Sequence, residues 1–305
     1  MEAERQPQED IRAPLYFLRK DPTYQTVKPY NIHYYPKEDF PRHNLIHAPC
    51  EVLVKDMRAQ EPPVALDTVG FGVYRLDTKM EYSDFQDETK VEQIYCRELE
   101  DYFREALGAK NVRALDFQVP QIDAPSKLRR KAPEFPHFGG RLPPRPQPSL
   151  LTHVDVTPDA ARTIVRELYK DVAEEILNGR FQIITVWKPC RLPVGDWPLA
   201  ICDATSVEPD DLVAADIIYP KFIAENYMLH HNENQRWYWL PDQKADEVLV
   251  FKAHDSEGSA SRPCPHGAFP LPCQDEKTPP RESIDVRLLV MYADVEYPAA
   301  TSWSN

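Results

Sequence analysis

The stretch Thr-His-Val-Asp at residues 152–155 decides the fold prediction for this chain. On an extended strand, side chains alternate between the two faces, so His153 and Asp155 are expected to project to the same side. His266, from a distant part of the sequence, would complete a set of two imidazole nitrogens and one carboxylate oxygen. That set is typical of the facial triad that binds ferrous iron and keeps adjacent coordination positions open. The sequence therefore predicts a metal site formed by His153, Asp155 and His266, and the same three residues are the candidate catalytic residues.

The wider pattern around His-x-Asp favours a metal site over a structural role. By itself the motif is common by chance, and His153 would then be a core or surface histidine, with Asp155 a cap for the helix that starts near Pro158. Further along, however, a Pro-His pair is followed by Arg-Glu-Ser at residues 281–283, which opens a β-type run. That order is typical of double-stranded β-helix oxygenases, which present two metal-binding strands and then a cosubstrate anchor. We therefore expect a mainly β fold with flanking α-helices and a jelly-roll, cupin-like core.

Size, charge and cysteine content exclude several classes of protein. The chain has 305 residues, a formal net charge of −13 and a pI near 5.2. This acidic balance argues against a nucleic-acid partner, whose binding needs a basic face. No apolar run approaches the roughly 20 residues that span a bilayer. The polar, acidic N-terminus is not expected to act as a secretory signal or a transit peptide. The six cysteines are scattered, without a Cys-x-x-Cys pair. We therefore expect free thiols in the reducing cytoplasm.

The chain is expected to form a single oxygenase domain over residues 1–305, in three parts. Residues 1–118 are expected to form an N-terminal arm with helices and short strands, and residues 150–305 the jelly-roll core that carries the metal site. Between them, residues 119–149 are rich in proline and basic residues, and this loop is either a mobile lid for an acidic substrate or a plain solvated loop. Apolar periodicity predicts helices over residues 84–107 and 158–179. Strand-like runs follow at 181–187, 199–202, 213–219, 226–230, 236–240, 247–252 and 284–292.

Distinctive motifs are spread over both halves of the chain. They are Pro-Arg-His-Asn at 41–44, Asp-Met-Arg at 56–58, Leu-Asp-Thr-Val-Gly-Phe at 66–71, Val-Trp-Lys-Pro at 186–189, residues 193–203, Trp-Tyr-Trp-Leu-Pro-Asp at 237–242, residues 246–252, His-Asp-Ser at 254–256, Pro-His-Gly-Ala-Phe at 265–269 and residues 280–287. Together they resemble a fungal and bacterial hydroxylase/desaturase family, which includes gibberellin desaturase-like proteins and relatives of a cephalosporin 7α-methoxylase component. The resemblance covers nearly the whole chain.

The resemblance implies a secondary-metabolism tailoring enzyme that uses iron(II), 2-oxoglutarate and dioxygen. On that basis His153, Asp155 and His266 take the metal role. Two departures from the family pattern are visible: Leu-Asp-Phe at 115–117 stands where the family tends to have Phe-Asp-His, and Val156 stands where relatives often place glutamine. The first removes the basis for a histidine role at that place, and the second indicates an altered pocket lining. Neither affects the three expected ligands.

Arginine is the residue type best suited to bind the far carboxylate of 2-oxoglutarate, because its guanidinium donates two hydrogen bonds in parallel. Arg281 and Arg287 follow one strand pattern at an even spacing and are expected to face the same side. The Arg-x-Ser motif favours Arg281, with Ser283 adding a hydroxyl, whereas the more central strand position favours Arg287. Both stay open as cosubstrate-binding residues, and the alternative for either is a surface ion pair.

Two further residues are candidate substrate contacts. Trp187 belongs to an aromatic-rich set whose default role is core packing, and His137 lies in the proline-rich loop. The expected partner is a small-molecule substrate, a natural-product intermediate, and neither nucleic acid nor a membrane. A homodimer is left open.

Three hypotheses for function follow from the sequence. The first is an iron(II)/2-oxoglutarate-dependent dioxygenase that acts by hydroxylation, desaturation or oxidative ring formation. The second retains the metal without the cosubstrate, as in an isomerase or cyclase. The third is a non-catalytic helper subunit of a tailoring enzyme. A serine or cysteine hydrolase ranks below them, since the sequence contains no Gly-x-Ser-x-Gly motif.

Overall fold

β-Strands dominate the computed structural model, which describes residues 10–34, 36, 39–119, 129–131, 149–257, 262–272 and 279–297. The strands are β1 (Ile11–Leu18), β2 (Tyr30–Ile32), β3 (His47–Asp56), β4 (Phe71–Arg75), β5 (Asn111–Val119), β6 (Arg129–Lys131), β7 (His153–Val154), β8 (Phe181–Pro189), β9 (Leu199–Cys202), β10 (Leu212–Ile218), β11 (Ile223–Leu229), β12 (Trp237–Trp239), β13 (Glu247–Asp255), β14 (His266–Ala268) and β15 (Ser283–Met291). The α-helices are α1 (Glu88–Lys90), α2 (Cys96–Ala106), α3 (Pro158–Tyr169) and α4 (Ala173–Asn178). None of the described helices is long and apolar enough to cross a membrane.

The described strands form two sheets with the connectivity of a jelly roll. The nine-stranded sheet has the order β1-β3-β12-β9-β14-β7-β11-β10-β2, and the six-stranded sheet has the order β4-β13-β8-β15-β5-β6. Within them, β12-β9-β14-β7 and β13-β8-β15-β5 are blocks in which every neighbouring pair is antiparallel. These blocks supply the eight strands of a jelly roll. The predicted fold class is confirmed.

The strands of residues 1–118 are built into both sheets. β1 and β3 pair with each other at one edge of the nine-stranded sheet, and β5 pairs with β15 inside the jelly roll. The hairpin of β10 and β11 is inserted between jelly-roll strands β9 and β12 and extends the sheet beside β7. Most of residues 119–149, including His137, lies outside the described residues, so the lid prediction is not tested there.

The helix predicted over residues 84–107 covers several conformations. A 3₁₀ turn at Tyr82–Gln86 and the short α1 precede a π-helical turn at Val91–Tyr95, and α2 follows without a break. The expected apolar stripe is buried: Val91, Tyr95, Leu99 and Phe103 share a core cluster with apolar side chains of the six-stranded sheet. The helical segment therefore covers the outer face of that sheet.

The helix predicted over residues 158–179 is divided, and the expectation of one continuous helix is wrong. Lys170 has a φ of 36°, which is outside the helical region, so α3 ends at Tyr169 and α4 begins at Ala173. The Thr157 hydroxyl accepts a hydrogen bond from the Ala160 amide at 3.2 Å, so Thr157, rather than Asp155, caps α3. Capping at Thr157 leaves the Asp155 carboxylate available for the site described next.

Candidate metal centre

The three predicted ligands meet between two short neighbouring strands of the nine-stranded sheet. His153 begins β7 and His266 begins β14, and the two residues are direct partners in the antiparallel register. Their ring centroids are 4.4 Å apart. Asp155 follows the end of β7, and one potential ligand atom from each of the three residues lies within 4.8 Å of the others. The three side chains therefore lie close together in space, as the sequence predicts.

Backbone carbonyls hold the imidazole rings so that their Nε2 atoms face the carboxylate. His153 Nδ1 lies 2.6 Å from the Leu151 carbonyl oxygen, and His266 Nδ1 lies 3.4 Å from that of Cys264. A carbonyl can only accept, so Nδ1 is the protonated nitrogen in each ring and Nε2 carries the lone pair. The two Nε2 atoms lie 3.7 and 3.8 Å from Asp155 Oδ1. Both Nε2 atoms thus lie near the same carboxylate oxygen.

The protonation states of these groups suit a cation. Burial alone would raise the pKa of Asp155, yet its electrostatic interactions with His266 and then with Arg287 hold that pKa below its ordinary value. Burial lowers the pKa of His266, although Asp155 opposes this effect. The carboxylate is therefore ionised and the imidazole neutral at neutral pH.

The residues present fit a ferrous ion. Two neutral imidazoles and one anionic carboxylate oxygen are the donor set of a 2-His-1-carboxylate site, and the three atoms are close enough to share one ion. Each imidazole has its second nitrogen held by a carbonyl, which is the arrangement usual for metal-ligating histidines. Cys264 is buried, and burial raises the pKa of its thiol, so it remains protonated. The described cysteines are all free thiols.

A row of side chains on the six-stranded sheet lies against this group. Phe251 on β13, Thr185 on β8, Arg287 on β15 and Asp116 on β5 are successive partners in the sheet register. The Thr185 hydroxyl donates a hydrogen bond of 2.6 Å to Asp155 Oδ2. The Phe251 ring centroid lies 4.5 Å from that of His266. We refer to these four residues as the supporting row.

The two candidate arginines have different surroundings. Arg287 donates hydrogen bonds to Asp116 from its Nε and from one terminal nitrogen, Nη2, and the pair is buried. It is therefore not the surface ion pair considered above. Arg281 precedes β15, donates a hydrogen bond of 2.7 Å to the Trp197 carbonyl, and has a buried Nε without a partner among the described residues. Burial lowers the pKa of Arg281 to about 10, so it is still a cation at neutral pH. Arg281 is the arginine with donor capacity to spare.

Trp187 links Arg281 to a cavity. The guanidinium carbon of Arg281 lies 5.6 Å from the Trp187 ring centroid, which is a cation–π distance. The same tryptophan lines a cavity of about 90 Å³ with mainly apolar walls, among them Leu199 and Leu249. Ser283, the first residue of β15, is buried. The structure therefore places Arg281 and Trp187 together, whereas His137 lies outside the described residues.

Comparison with known proteins agrees with this site. A family model described as an oxidoreductase/YMDC permease-like domain matches residues 15–291. The chain belongs to this oxidoreductase family. A hydroxylase/desaturase of Hormonema carpetanum, efuI, is 30% identical over 260 residues, which are 80% of this chain and 84% of that protein. The resemblance to hydroxylase/desaturase proteins is thereby confirmed.

Other relatives of this oxidoreductase carry more specific names. An alpha-ketoglutarate-dependent dioxygenase of Talaromyces stipitatus, tstK, is 30% identical over 79% of this chain and 84% of that protein. The Fe(II)/2-oxoglutarate-dependent dioxygenase nvfI of Aspergillus novofumigatus is 42% identical over 146 residues, which are 47% of this chain and 52% of that protein. That sequence match therefore spans about half of the relative's length. A solved structure of a variant of NvfI, an iron and alpha-ketoglutarate-dependent endoperoxidase, superposes with a TM-score of 0.80 at 28% identity, covering 94% of this chain and 98% of that one.

Of the supporting row in this oxidoreductase, only Arg287 is a candidate site residue from the sequence, and there it is a candidate for cosubstrate binding. The signal available was Thr185, a hydroxyl residue in the apolar run Ile183-Ile184-Thr185-Val186, and it shares a face with Trp187 by alternation. Its partner Asp155 and its neighbours on other strands follow only from the sheet register. The row had to be found in the structure.

Proposed function

We propose that the protein is an iron(II)- and 2-oxoglutarate-dependent dioxygenase that tailors a secondary metabolite by C–H activation, through hydroxylation, desaturation or oxidative ring formation. The observation that carries the proposal is the convergence of His153 Nε2, His266 Nε2 and Asp155 Oδ1 within 4.8 Å. The names of the relatives support the same activity, since tstK and nvfI are named as dioxygenases dependent on this cosubstrate.

In this proposal the protein binds, orients and encloses the reactants. His153, Asp155 and His266 hold the iron, which when bound supplies the redox chemistry that couples 2-oxoglutarate decarboxylation by dioxygen to substrate oxidation. Three protein ligands leave coordination positions for other molecules. The apolar surroundings, including Phe251 beside His266, exclude water from the reacting groups.

Arg281 is the proposed anchor for the far carboxylate of 2-oxoglutarate. Its buried Nε without a partner among the described residues gives it a hydrogen bond to donate, and a buried polar group of this kind is otherwise costly. Ser283, two residues further along the chain, is the proposed source of an additional hydroxyl for the same carboxylate. Arg287 already binds Asp116, so we assign it to the support of Asp155 instead. Trp187 and His137 remain proposed substrate contacts.

An anaerobic titration of metal-free protein with iron(II) and 2-oxoglutarate tests the proposal. We expect the weak visible charge-transfer band of the chelate with the wild-type protein, and succinate once oxygen is admitted with a panel of polyketide, terpenoid and peptide metabolites. His153→Ala and His266→Ala are expected to lose both signals. Metal binding without 2-oxoglutarate binding would select the isomerase or cyclase instead, and absence of stoichiometric metal would select a helper subunit.

The substrate, the compartment and the domain organisation are proposed from the sequence. We propose a natural-product intermediate as the substrate, the cytoplasm as the compartment, and residues 1–305 as a single oxygenase domain. The acidic charge of −13 disfavours nucleic acid as a partner. A homodimer stays a prediction, which light scattering coupled to size-exclusion chromatography tests.

A further inference from the structure

We propose that Thr185 is a positioning residue that fixes the Asp155 carboxylate so that a single oxygen, Oδ1, faces the two imidazoles. The inference rests on the proposed function, because it concerns the same metal site. Thr185 lies in the six-stranded sheet, opposite the candidate ligands, and belongs to none of the metal-binding motifs of the sequence.

The contacts of the Asp155 carboxylate divide cleanly between its two oxygens. Oδ1 lies 3.7 Å from His153 Nε2 and 3.8 Å from His266 Nε2. Oδ2 accepts the hydrogen bond from the Thr185 hydroxyl at 2.6 Å. A hydroxyl-to-carboxylate bond of this length is charge-assisted and strong. Rotation of the carboxylate about its Cβ–Cγ bond would break that bond.

This division decides how many coordination positions the carboxylate can occupy. An aspartate without a partner on its outer oxygen is free to bind an ion through both oxygens. A bidentate aspartate would occupy a position that a cosubstrate-binding site must keep open. The Thr185 hydroxyl engages Oδ2 and so favours binding through Oδ1 alone. The expected result is a site with the open positions that a chelating cosubstrate needs.

Thr185 is suited to position the carboxylate because its backbone and side chain are held rigidly. It is 2% exposed and lies in β8, which is paired along its length with β13 on one side and β15 on the other. Its direct neighbours in the supporting row are Phe251 and Arg287. A hydrogen-bond donor on a central strand is held more precisely than one on a loop.

The chain offers a matched control in Thr157. That threonine is also 2% exposed, and its hydroxyl also donates to a carboxylate, that of Glu225. Glu225 is not among the three candidate ligands. Thr185→Val and Thr157→Val therefore both remove a hydroxyl-to-carboxylate hydrogen bond with the same change of shape, but only the first touches a candidate ligand. Because Thr157→Val also removes the cap of α3, it is the more severe test of a purely structural effect, and an unchanged Kd in this variant is a stringent control.

The experiment is an anaerobic titration of metal-free protein with manganese(II), followed by the electron paramagnetic resonance signal of the free ion, so that no turnover is needed. We expect Thr185→Val to raise the Kd for manganese(II) by roughly 10- to 100-fold, the usual effect of losing a partner of a metal ligand. Thr185→Ser, which keeps the hydroxyl, is expected to stay within about threefold of the wild type, and so is Thr157→Val. Thermal unfolding of the metal-free proteins shows whether each variant is folded, and Thr185→Ala replaces Thr185→Val if the latter is not.

Each outcome has one meaning. An unchanged Kd in Thr185→Val, or an equal weakening in Thr185→Ser, would overturn the positioning role while leaving the metal site intact. A wild-type protein that binds no manganese(II) and no iron(II) would instead overturn the proposed function, and this inference with it. A selective loss in Thr185→Val that Thr185→Ser restores supports both.

Discussion

The two sheets contribute different parts of the site. The nine-stranded sheet supplies the two candidate histidine ligands at the starts of two very short strands, β7 and β14, with Asp155 just beyond β7. The six-stranded sheet supplies no candidate ligand, but its long strands β8, β13 and β15, of nine residues each, carry most of the supporting row. The candidate ligands thus lie at the ends of short strands, and side chains on long, fully paired strands pack against them and hydrogen-bond to Asp155.

The nine-stranded sheet is therefore expected to determine metal binding, and the six-stranded sheet to provide rigidity. Short strands have few ladder hydrogen bonds, so their ends can be shaped by loops and ligands. Long central strands are the most resistant part of a fold to local opening. Substitutions in the first sheet are therefore expected to change metal binding, and those in the second to change stability as well.

The largest expected effect is in the nine-stranded sheet. His266→Ala removes a proposed ligand, so metal affinity is expected to fall by more than the roughly 100-fold typical for the loss of a residue that hydrogen-bonds to a ligand. Succinate formation is expected to be lost. Isothermal titration with manganese(II) and a succinate assay measure the two effects. His230→Ala is the control, since His230 bonds to the Leu18 carbonyl outside the metal group. Retained activity in His266→Ala would contradict the assignment of the ligands.

A large loss of stability is expected in the six-stranded sheet from Asp116→Asn. Its carboxylate pairs with the Arg287 guanidinium, and the two side chains are 6% and 11% exposed. Removing one charge of a buried pair costs about 3–5 kcal/mol when the other charge is left uncompensated. Because Arg287 keeps its interaction with Asp155, we expect a loss towards the lower end of that range. Urea unfolding of the metal-free protein measures this loss.

The double variant Asp116→Leu/Arg287→Met is the control for that experiment. It removes both charges, so we expect it to recover much of the stability. A loss below about 1 kcal/mol in Asp116→Asn, the range of an exposed ion pair, would show that the pair does not stabilise the six-stranded sheet in this way.

The same comparison explains what could be predicted from the sequence. His153 and Asp155 are two residues apart, and strand alternation is a local rule, so their shared direction could be predicted. The choice between Arg281 and Arg287 could not, because it depends on Asp116, which reaches Arg287 only through the register of β5 and β15. The interruption between α3 and α4 at Lys170 could not be predicted either, because no local sequence signal favours its φ of 36°. The resemblance to a family predicted the fold where periodicity gave only separate strands.

An intermediate effect is expected for Arg281, which tests its assignment against Arg287. Arg281→Leu removes the proposed anchor, so we expect the Kd for 2-oxoglutarate to rise by roughly 100-fold, about 3 kcal/mol, with metal binding retained. The Kd of Arg281→Lys is expected to lie between those of the wild type and Arg281→Leu, since lysine keeps the charge but not the parallel hydrogen bonds. Equilibrium binding of 2-oxoglutarate to the manganese(II)-loaded protein measures the effect. A rise in Arg287→Lys with no rise in Arg281→Lys would exchange the two roles.

The smallest expected effect is a pH dependence of stability from His254 on β13. The side chain is 7% exposed, its Nε2 has no partner among the described residues, and burial lowers its pKa to about 4. The unfolded chain has the ordinary histidine pKa near 6.5, so between these values it binds more protons than the folded chain and stability falls as the pH falls. Between pH 7 and 5.5 the expected loss is about 1 kcal/mol. Urea unfolding of wild type and His254→Leu at both pH values isolates this contribution, since the variant lacks the titrating group. An equal pH dependence in the two proteins would show that His254 is protonated at little cost, and that β13 opens more readily at this residue than a central strand should.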